Sequence, residues 1–358
     1  ALNPTSNTES RLKLLKRLIK RQDVEEVING CDAGREGELI FRHIITESKT
    51  KKTIRRLWLQ SMTKQAIRDG FQKLRADEAM LPLACAAVCR SESDWLVGIN
   101  GTRAMTAFNS KSGGFFLTTV GRVQTPTLTI LVDREQKIKK FVERNYWELH
   151  ANFQAKAGHY EGRWFDEGFR KKDKESDPDL RPERIWSKEL AEGIQKKCLN
   201  QPGTVTEEKR PSKQLSPLLY DLTSLQREAN SRFGLPAGRT LQLAQALYER
   251  HKMLTYPRTD SRALPEDYLG TVKETLKAFT GSSYESSASK IERNSWVKPN
   301  KRIFNNAKIS DHFAIIPTSL GPKKKLNDDE QKIYDMVVRR FLAVFFPPAE
   351  YQITTRIT

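Results

Sequence analysis

The chain has 358 residues, 37% of them hydrophobic, which predicts roughly two to four structural units and excludes disorder along its whole length. Lys and Arg total 62 against 44 Asp and Glu, a formal net charge of +18 that favours a polyanionic partner, most commonly nucleic acid, over a basic protein with no such partner. No apolar run is long enough for a membrane span, no signal peptide opens the chain, and none of the cysteines forms a CxxC pair, so a membrane protein, a zinc ribbon and a disulfide framework are not expected.

The first part of the chain alternates helix and strand. Helical periodicity is clear over Leu12 to Ile19, a short buried strand is predicted over Glu26 to Cys31, and an amphipathic helix over Arg35 to Ser48. A second strand is predicted over Thr53 to Leu59. Strand, turn and helix in this order are typical of an open α/β sheet.

Helices dominate the following region. One is predicted around Ile67, a long one over Leu83 to Phe108, and another over Gly121 to Phe141. The apolar spacing of the last helix predicts an inward face formed by Leu128, Leu131 and Ile138.

Two segments show the alternation of a half-buried strand. The first begins at Tyr146, where apolar and polar residues alternate, and the second follows Tyr351 at the end of the chain. These segments predict a β-rich region that the chain enters twice.

A compact helical region lies between them. Ser216 and Pro217 predict the beginning of a helix that ends at Gly234, and a second helix is predicted over Arg239 to His251. The serine-rich run from Ser282 to Ser289 predicts a flexible loop, and a further helix is predicted from Asp328 to about Phe345.

The sequence Tyr-Pro-Arg-Thr-Asp-Ser from Tyr256 to Ser261 carries the sharpest chemical signal. Proline disfavours helix at the residue before it, so Tyr256 is expected to be extended and to share a face with Arg258. A nearby guanidinium would favour the phenolate and hold a phosphate, which suits attack on a phosphodiester. A Tyr-Pro turn with a solvated arginine is the structural alternative.

A second motif, Asp-Ala-Gly-Arg-Glu-Gly-Glu, begins at Asp32 where the first strand ends. Its acids Asp32 and Glu36 are well placed for Mg²⁺, which prefers oxygen ligands, and Gly34 and Gly37 would let the backbone approach a phosphate. Acids that merely complement the dipole of a helix N-terminus explain the same residues.

Two further motifs suggest phosphate contacts. Gly121 and Arg122 at a helix beginning offer main-chain NH groups and a cation, although ordinary helix capping explains them equally. His312, in the sequence Asp-His-Phe-Ala-Ile-Ile-Pro-Thr, is a second candidate, although a single histidine is more often structural.

Together these segments resemble the type IA DNA topoisomerases, and the topoisomerase III branch more than the topoisomerase I branch. The resemblance rests on five segments in the same order: DAGREGELI from Asp32, RSESDWLVGINGTRAMT from Arg90, TVGRVQTPTLTILVDRE from Thr119, TYPRTDS from Thr255 and DHFAIIPT from Asp311.

The resemblance implies a role for each matching residue. Tyr256 would become joined to the 5′ phosphate of the cut strand, and Arg258 would hold the scissile phosphate. Asp32 and Glu36 would bind Mg²⁺. The residues expected to contact DNA are Arg35, Arg90, Asp94, Arg122, Gln124 and His312.

The implied fold is α/β plus α, a multidomain torus. The expected divisions are a partial Toprim α/β domain over 1–62, a helical DNA-binding domain over 63–145, a β-rich arch over 146–215, a helical tyrosine domain over 216–325 and a return to the arch over 326–358. The implied activity is strand cleavage, passage and religation without ATP. A monomer in the cytoplasm, associated with the nucleoid, would act on single-stranded or negatively supercoiled DNA, with a helicase as a candidate partner.

The sequence departs from the family pattern in two places. Gly34 stands where a second Asp is common, and no segment before Asp32 matches the first Toprim strand with its Glu and Lys. The second departure predicts that the chain is a fragment lacking that strand and the C-terminal end. Two alternatives stay open: a DNA-binding protein that lost catalysis, and a Toprim nuclease or primase.

Overall fold

A computed structural model describes residues 6–170, 177–320 and 325–358. The fold is mixed α/β, with helices predominating and only small sheets. The chain divides into two compact units, the first formed by Ala1–Gly121 with Lys213–Ala349 and the second by Arg122–Ser212 with Glu350–Thr358. Among the helices in the described ranges, none is both long and apolar enough to cross a membrane.

The first unit begins with the α/β pattern that the sequence predicts. Its elements are helix α1 (Ser6–Ile19), strand β1 (Glu26–Asn29), helix α2 (Arg35–Ser48) and strand β2 (Thr53–Arg56). Strands β1 and β2 are parallel, and β2 also pairs antiparallel with the short β3 (Arg75–Ala76). The parallel pair is connected by α2, so the turn between β1 and α2 opens at the carboxyl end of a strand.

Two more helices complete this part of the first unit. Helix α3 (Lys64–Gln72) begins at Thr63, whose side chain accepts a hydrogen bond from the NH of Ala66 and so caps the helix. Helix α4 (Leu81–Asn109) carries a proline in its first turn, where no intrahelical donor is lost.

The main hydrophobic core lies in the C-terminal part of the first unit. It is formed by helices α7 (Leu222–Phe233), α8 (Ala237–Glu249), α9 (Leu269–Lys277), α10 (Glu285–Arg293) and α11 (Asp328–Ala343). The central helix is α11, whose Ile333, Tyr334, Val337, Val338 and Phe341 are fully buried. Complete burial on several sides makes this region the rigid part of the unit.

Two sequence predictions in this region are wrong. Helix α7 begins at Leu222 rather than near Ser216, because Asp221 caps it and Ser224 completes a capping box. The predicted loop from Ser282 to Ser289 instead contains the beginning of α10. Burial of Ala288 and Ile291 in the core outweighs the turn preference of the serines.

The second unit contains helix α5 (Gln124–Lys139), strands β4 (His150–Ala155) and β5 (Gly158–Arg163), and helix α6 (Lys188–Cys198). Strands β4 and β5 form an antiparallel hairpin, and strand β6 (Thr206–Gln214) pairs with β7 (Ala349–Ile357) in a separate sheet. Helix α5 is present, but its predicted inward face is exposed: Leu128, Leu131 and Ile138 are 59%, 63% and 58% exposed. Apolar spacing indicates a face suited to burial without specifying what covers it.

Candidate active site

A tight turn joins the end of β1 to the beginning of α2. The NH of Gly34 donates to the carbonyl of Asp32 across 2.8 Å, and α2 begins at the next residue, Arg35. The Asp32 side chain is exposed, and Arg35 and Glu36 are exposed in the first turn of α2. The turn therefore presents two carboxylates and one guanidinium to solvent.

Two buried charged side chains fix the main chain beneath this turn. Arg56, 1% exposed, donates through one terminal nitrogen to the carbonyls of Asn29 and Cys31, at 2.9 and 2.7 Å. Its other terminal nitrogen donates to the carbonyl of Asp32. Glu38 is also fully buried, accepts from Asn29 Nδ2 at 3.0 Å and lies 3.4 Å from Arg56 Nε. Because Arg56 holds the segment that carries Asp32, this ion pair positions the acidic turn.

The space beside both glycines of the turn is occupied by other protein atoms. A Cβ on Gly37 would lie 2.2 Å from the carbonyl oxygen of Asp32, and a Cβ on Gly34 would lie 2.2 Å from Oδ2 of Asp311. Both separations are far below van der Waals contact. The sequence predicts that these glycines let the backbone approach a phosphate, whereas in the structure they admit neighbouring parts of the chain itself.

The tyrosine segment runs alongside the segment that carries His312. The NH of Thr255 donates to the Ile316 carbonyl, and the NH of Ile316 donates back to the Thr255 hydroxyl, both at 2.9 Å. The Thr259 hydroxyl donates to the His312 carbonyl at 2.9 Å. Hydrogen bonds thus hold two motifs that are distant in sequence side by side.

Aromatic rings surround Tyr256. Its ring centroid lies 4.3 Å from that of His312, and Tyr248 makes an edge contact at 5.4 Å with an interplanar angle of 77°. The side chain of Tyr256 is half-buried by these neighbours. Contacts with two rings restrict the orientations available to the phenol.

Three neighbouring effects act on the pKa of Tyr256. Burial raises the pKa of Tyr256, the negative charge of Asp32 raises it further, and Arg258 lowers it by less than these effects together. Arg258 thus acts in the predicted direction, towards the phenolate, but burial and Asp32 outweigh it. Tyr256 therefore remains a phenol at neutral pH, and any attack by its oxygen would require loss of the proton.

The guanidinium of Arg258 is exposed. Its Nη2 lies 3.4 Å from Oε1 of Gln245 on α8. This single long hydrogen bond to a neutral group leaves most of the donors of Arg258 available to an anion.

His312 connects the tyrosine to the acidic turn. Its Nε2 lies 3.5 Å from Oδ2 of Asp32, an ion pair when the imidazole is protonated. The preceding residue, Asp311, is half-buried, and burial raises the pKa of its carboxyl, with Asp260 and Asp32 adding to the effect and His312 opposing it. The structure thus brings Asp32, His312 and Tyr256 together.

The other predicted DNA-contacting residues lie on helices or, for Arg122, in the turn before a helix. Arg90 and Asp94 are exposed, four residues apart on α4 of the first unit. Arg122 and Gln124 belong to the second unit, where both are exposed at the beginning of α5. Their contacts with DNA remain predictions.

Four residues around the site were not predicted from the sequence: Arg56, Glu38, Asp311 and Tyr248. A signal existed for Arg56, because strand alternation places one of the two adjacent arginines of β2 on the inner face. Glu38 was visible as the last acid of its motif. The positions of Tyr248 and Asp311 depend on packing between distant segments, which no local pattern reports.

The donors at the turn fit a hard divalent cation that keeps part of its water shell. Mg²⁺ is usually held by one or two carboxylates, waters and substrate phosphates. No group of three His, Cys, Asp or Glu side chains within residues 6–170, 177–320 and 325–358 is placed to hold an ion. The exposed carboxylate of Asp32 suits coordination by one or two carboxylates, in which water and phosphate oxygens supply the remaining ligands.

Comparison with known proteins gives a consistent family. A family model described as DNA topoisomerase matches residues 78–358. DNA topoisomerase 3 of Bacillus cereus is 43% identical over 99% of this chain and 46% of its own length. The proteins of the same name from Shouchella clausii and Bacillus subtilis are 42% and 40% identical over 97% of this chain and 45% of their own lengths. The chain spans about half the length of the curated relatives it matches.

A solved structure shares the fold. Full-length topoisomerase I from Thermotoga maritima is similar over 98% of this chain and 53% of that chain, with a TM-score of 0.61 and 22% sequence identity. At this identity the likeness extends to the fold alone.

Proposed function

The chain belongs to the DNA topoisomerase family, in its type IA, topoisomerase III-like branch, and from this premise we propose that it cuts one DNA strand through Tyr256, allows strand passage and reseals the break. The relaxation of negatively supercoiled DNA and the separation of linked DNA molecules are the two outcomes of this chemistry.

The proposed cleavage exchanges one phosphodiester for another. The phenol oxygen of Tyr256 attacks phosphorus, the phenol proton leaves, and the bond to the 3′ oxygen breaks so that this oxygen departs as a hydroxyl. The strand then carries its 5′ phosphate on Tyr256. Because the number of phosphodiester bonds is unchanged, the reverse reaction reseals the strand without ATP.

Each side chain near Tyr256 has a distinct proposed role. The exposed guanidinium of Arg258 holds the scissile phosphate, since planar donors match phosphate oxygens. His312 orients the ring of Tyr256 and adds positive charge at the phosphate when protonated. Along the single strand, the proposed DNA contacts are Arg35, Arg90, Asp94, Arg122 and Gln124.

Asp32 and Glu36 would hold Mg²⁺. When bound, this ion would stabilise the negative charge of the phosphate. Arg56, which is paired with Glu38, keeps the turn in place whether or not a cation is present, because its guanidinium donates to main-chain carbonyls of the turn.

One observation supports the proposal most directly: residues from three separate segments meet around one phenol. His312 contacts the ring of Tyr256 on one side and the carboxylate of Asp32 through Nε2. A Tyr-Pro turn with only structural duties would need neither the acidic turn nor a basic environment. The net charge of +18 supports a polyanionic substrate.

The wider organisation belongs to the same proposal. It includes the torus and its Toprim, helical and β-rich domains with the boundaries given above, and a monomer acting on single-stranded or negatively supercoiled DNA in the cytoplasm, with a helicase as partner.

Trapping the covalent intermediate tests the proposal. The protein is incubated with Mg²⁺ and a single-stranded oligonucleotide labelled at its 3′ end, then denatured with detergent and separated on a gel. We expect label to migrate with the protein, to vanish in Tyr256→Phe and to persist in the matched control Tyr248→Phe. DNA binding without any adduct would contradict the proposal and favour a DNA-binding protein that has lost catalysis.

A further inference from the structure

Asp311 occupies the space that a side chain at position 34 would fill. A Cβ built on Gly34 would lie 2.2 and 2.3 Å from the two carboxylate oxygens of Asp311 and 2.4 Å from its Cγ. The backbone of Gly34 does not itself require glycine, because its φ of −161° is extended and open to any residue. Glycine is therefore present for space, and the carboxylate of Asp311 uses that space.

The main chain around Asp311 is anchored on both sides. Before it, Gln60 Nε2 donates to the carbonyls of Ile309 and Ser310 at 2.9 and 3.0 Å. After it, the NH of Ala314 donates to the Ala263 carbonyl at 2.9 Å. The position of Asp311 against the acidic turn is thus set by the fold rather than by a mobile side chain alone.

The surroundings of the Asp311 carboxylate bear on what it can bind. It is half-buried, yet it accepts no hydrogen bond from any residue in the described part of the chain. The nearby charges include another carboxylate, Asp32, as well as Arg35 and His312. Half-buried carboxylates without donors, next to a second carboxylate, are an arrangement that a cation stabilises.

We propose that Asp311 supplies, together with Asp32, carboxylate oxygens for the divalent cation of the active site, in the place that a side chain at position 34 would otherwise occupy. This inference rests on the proposed function, which implies the cation. Asp32 and Asp311 would then bind the cation directly and Glu36 through a bound water, an arrangement that matches the coordination habits of Mg²⁺. The departure at Gly34 then relocates a ligand to the tyrosine segment, and cation binding joins that segment to the acidic turn.

Mn²⁺ binding to the DNA-free protein, followed by electron paramagnetic resonance, tests the inference without an activity assay. We expect Asp311→Asn to weaken Mn²⁺ binding by about tenfold or more, since it removes one ligand charge with little change in shape. Gly34→Ala should weaken it similarly, because its Cβ displaces the Asp311 carboxylate. The control Asp267→Asn, whose carboxylate is already satisfied by the hydroxyls of Ser61 and Thr63, should leave the affinity unchanged.

A relocation variant makes the test specific. Gly34→Asp combined with Asp311→Ala returns one carboxylate to the same space, so we expect Mn²⁺ affinity within about threefold of the original protein. Asp311→Asn with unchanged affinity, or a relocation variant that stays as weak as Asp311→Asn, would overturn the inference. Asp32→Asn distinguishes failure of the inference from failure of the proposed function. If Asp32→Asn weakens Mn²⁺ binding while Asp311→Asn does not, only the inference about Asp311 fails. If neither variant affects Mn²⁺ binding, the cation assigned to the proposed function fails as well.

Discussion

His312 reaches Asp32 with its Nε2 3.5 Å from the carboxylate Oδ2, while its ring contacts Tyr256. One side chain thus connects the acidic turn to the proposed nucleophile. The contact with Tyr256 requires a ring, and the contact with Asp32 requires a polar nitrogen. His312 is therefore the residue whose replacement should separate cleavage from folding.

We expect His312→Ala to lower the rate of adduct formation by about a hundredfold, because positioned imidazoles usually contribute at least this much. The rate of adduct formation of His312→Gln should lie between those of the original protein and His312→Ala, since glutamine keeps a polar atom but loses the ring. Single-turnover cleavage of a labelled oligonucleotide measures the rate, and fluorescence anisotropy measures DNA binding separately. His43→Ala, an exposed histidine on α2, is the control, and a similar loss in it would rule out a specific role for His312.

Arg56 and Arg55 offer a matched pair on β2. Arg56 is buried with four main-chain carbonyls and Glu38, whereas the side chain of Arg55 is 51% exposed beside Glu26. We expect Arg56→Met to lower the free energy of unfolding by about 3–5 kcal/mol, because it removes the donor to four buried main-chain carbonyls and one of the two guanidinium partners of Glu38, which keeps Arg42 at 2.8 Å. Arg55→Met should change it by less than about 0.5 kcal/mol.

Chemical denaturation measures both values. Adding Glu38→Leu to Arg56→Met should not recover the loss, since Glu38 still pairs with Arg42 after the first substitution. Equal effects of Arg55→Met and Arg56→Met would show that the buried ion pair does not hold the acidic turn.

Local chemistry explains which parts of the fold the sequence predicts. The bounds of α2 are predicted correctly because a turn, an acidic first helical turn and an apolar face all agree over one short stretch. The start of α10 was missed because its serine-rich sequence favours a turn, and only packing of Ile291 against distant helices makes it helical.

The same distinction applies to the site. Tyr256, Arg258, Asp32 and His312 could be proposed from the sequence because each belongs to a short motif with recognisable chemistry. The position of Asp311 beside Gly34 was not predicted. The carboxylate of Asp311 occupies the space that a Cβ on Gly34 would fill, and this is visible only when two segments far apart in sequence lie together in the fold. The raised pKa of Tyr256 likewise depends on burial by the fold, which the adjacent arginine does not reveal.

Substitution by alanine should change the stability of the protein in opposite directions at Gly37 and Gly270. Both lie near the beginning of a helix, Gly37 in α2 and Gly270 in α9. A Cβ on Gly37 would lie 2.2 Å from the Asp32 carbonyl oxygen, whereas a Cβ on Gly270 would meet nothing within 4 Å. We expect Gly37→Ala to destabilise the protein by about 1–3 kcal/mol through displacement of the turn, and Gly270→Ala to stabilise it by about 0.4–1 kcal/mol.

Thermal and chemical unfolding check both signs. Gly37→Ala should also weaken Mn²⁺ binding, because the displaced main chain carries Asp32, while Gly270→Ala should not. Stabilisation by Gly37→Ala would mean that the turn relaxes freely around the added methyl group.

The carboxylate of Asp221 ties the beginning of α7 to the end of the tyrosine segment. It accepts from the NH of Ser224 at 2.6 Å and from Arg262 Nε at 2.7 Å, and its main-chain neighbour Leu222 donates to the Thr259 carbonyl at 3.0 Å. Burial alone would raise the pKa of Asp221, but the hydrogen bonds from Arg262 and Ser224 outweigh it and lower the pKa below its usual value. The ionised form is therefore the one that stabilises the fold.

A lowered folded-state pKa fixes the sign of the pH dependence. The contribution of Asp221 is fully present above the unfolded pKa of about 3.9 and is lost as the pH falls through the lower folded value. We expect Asp221→Asn, which keeps a good cap but removes the charge, to cost about 1–2 kcal/mol at pH 7. The difference between the two proteins should shrink toward zero as denaturation is repeated at decreasing pH below about 4.

The exposed Asp328 in the first turn of α11 supplies the control. Asp328→Asn should change the free energy of unfolding by only a few tenths of a kcal/mol, because an exposed charge at a helix beginning is screened. Arg262→Gln should cost less than Asp221→Asn and should reduce the pH dependence, since it removes one of the interactions that lower the pKa. A cost of Asp221→Asn that stays constant from pH 7 to pH 3 would show that the carboxylate contributes through its shape alone, and the ionic connection between α7 and the tyrosine segment would have to be abandoned.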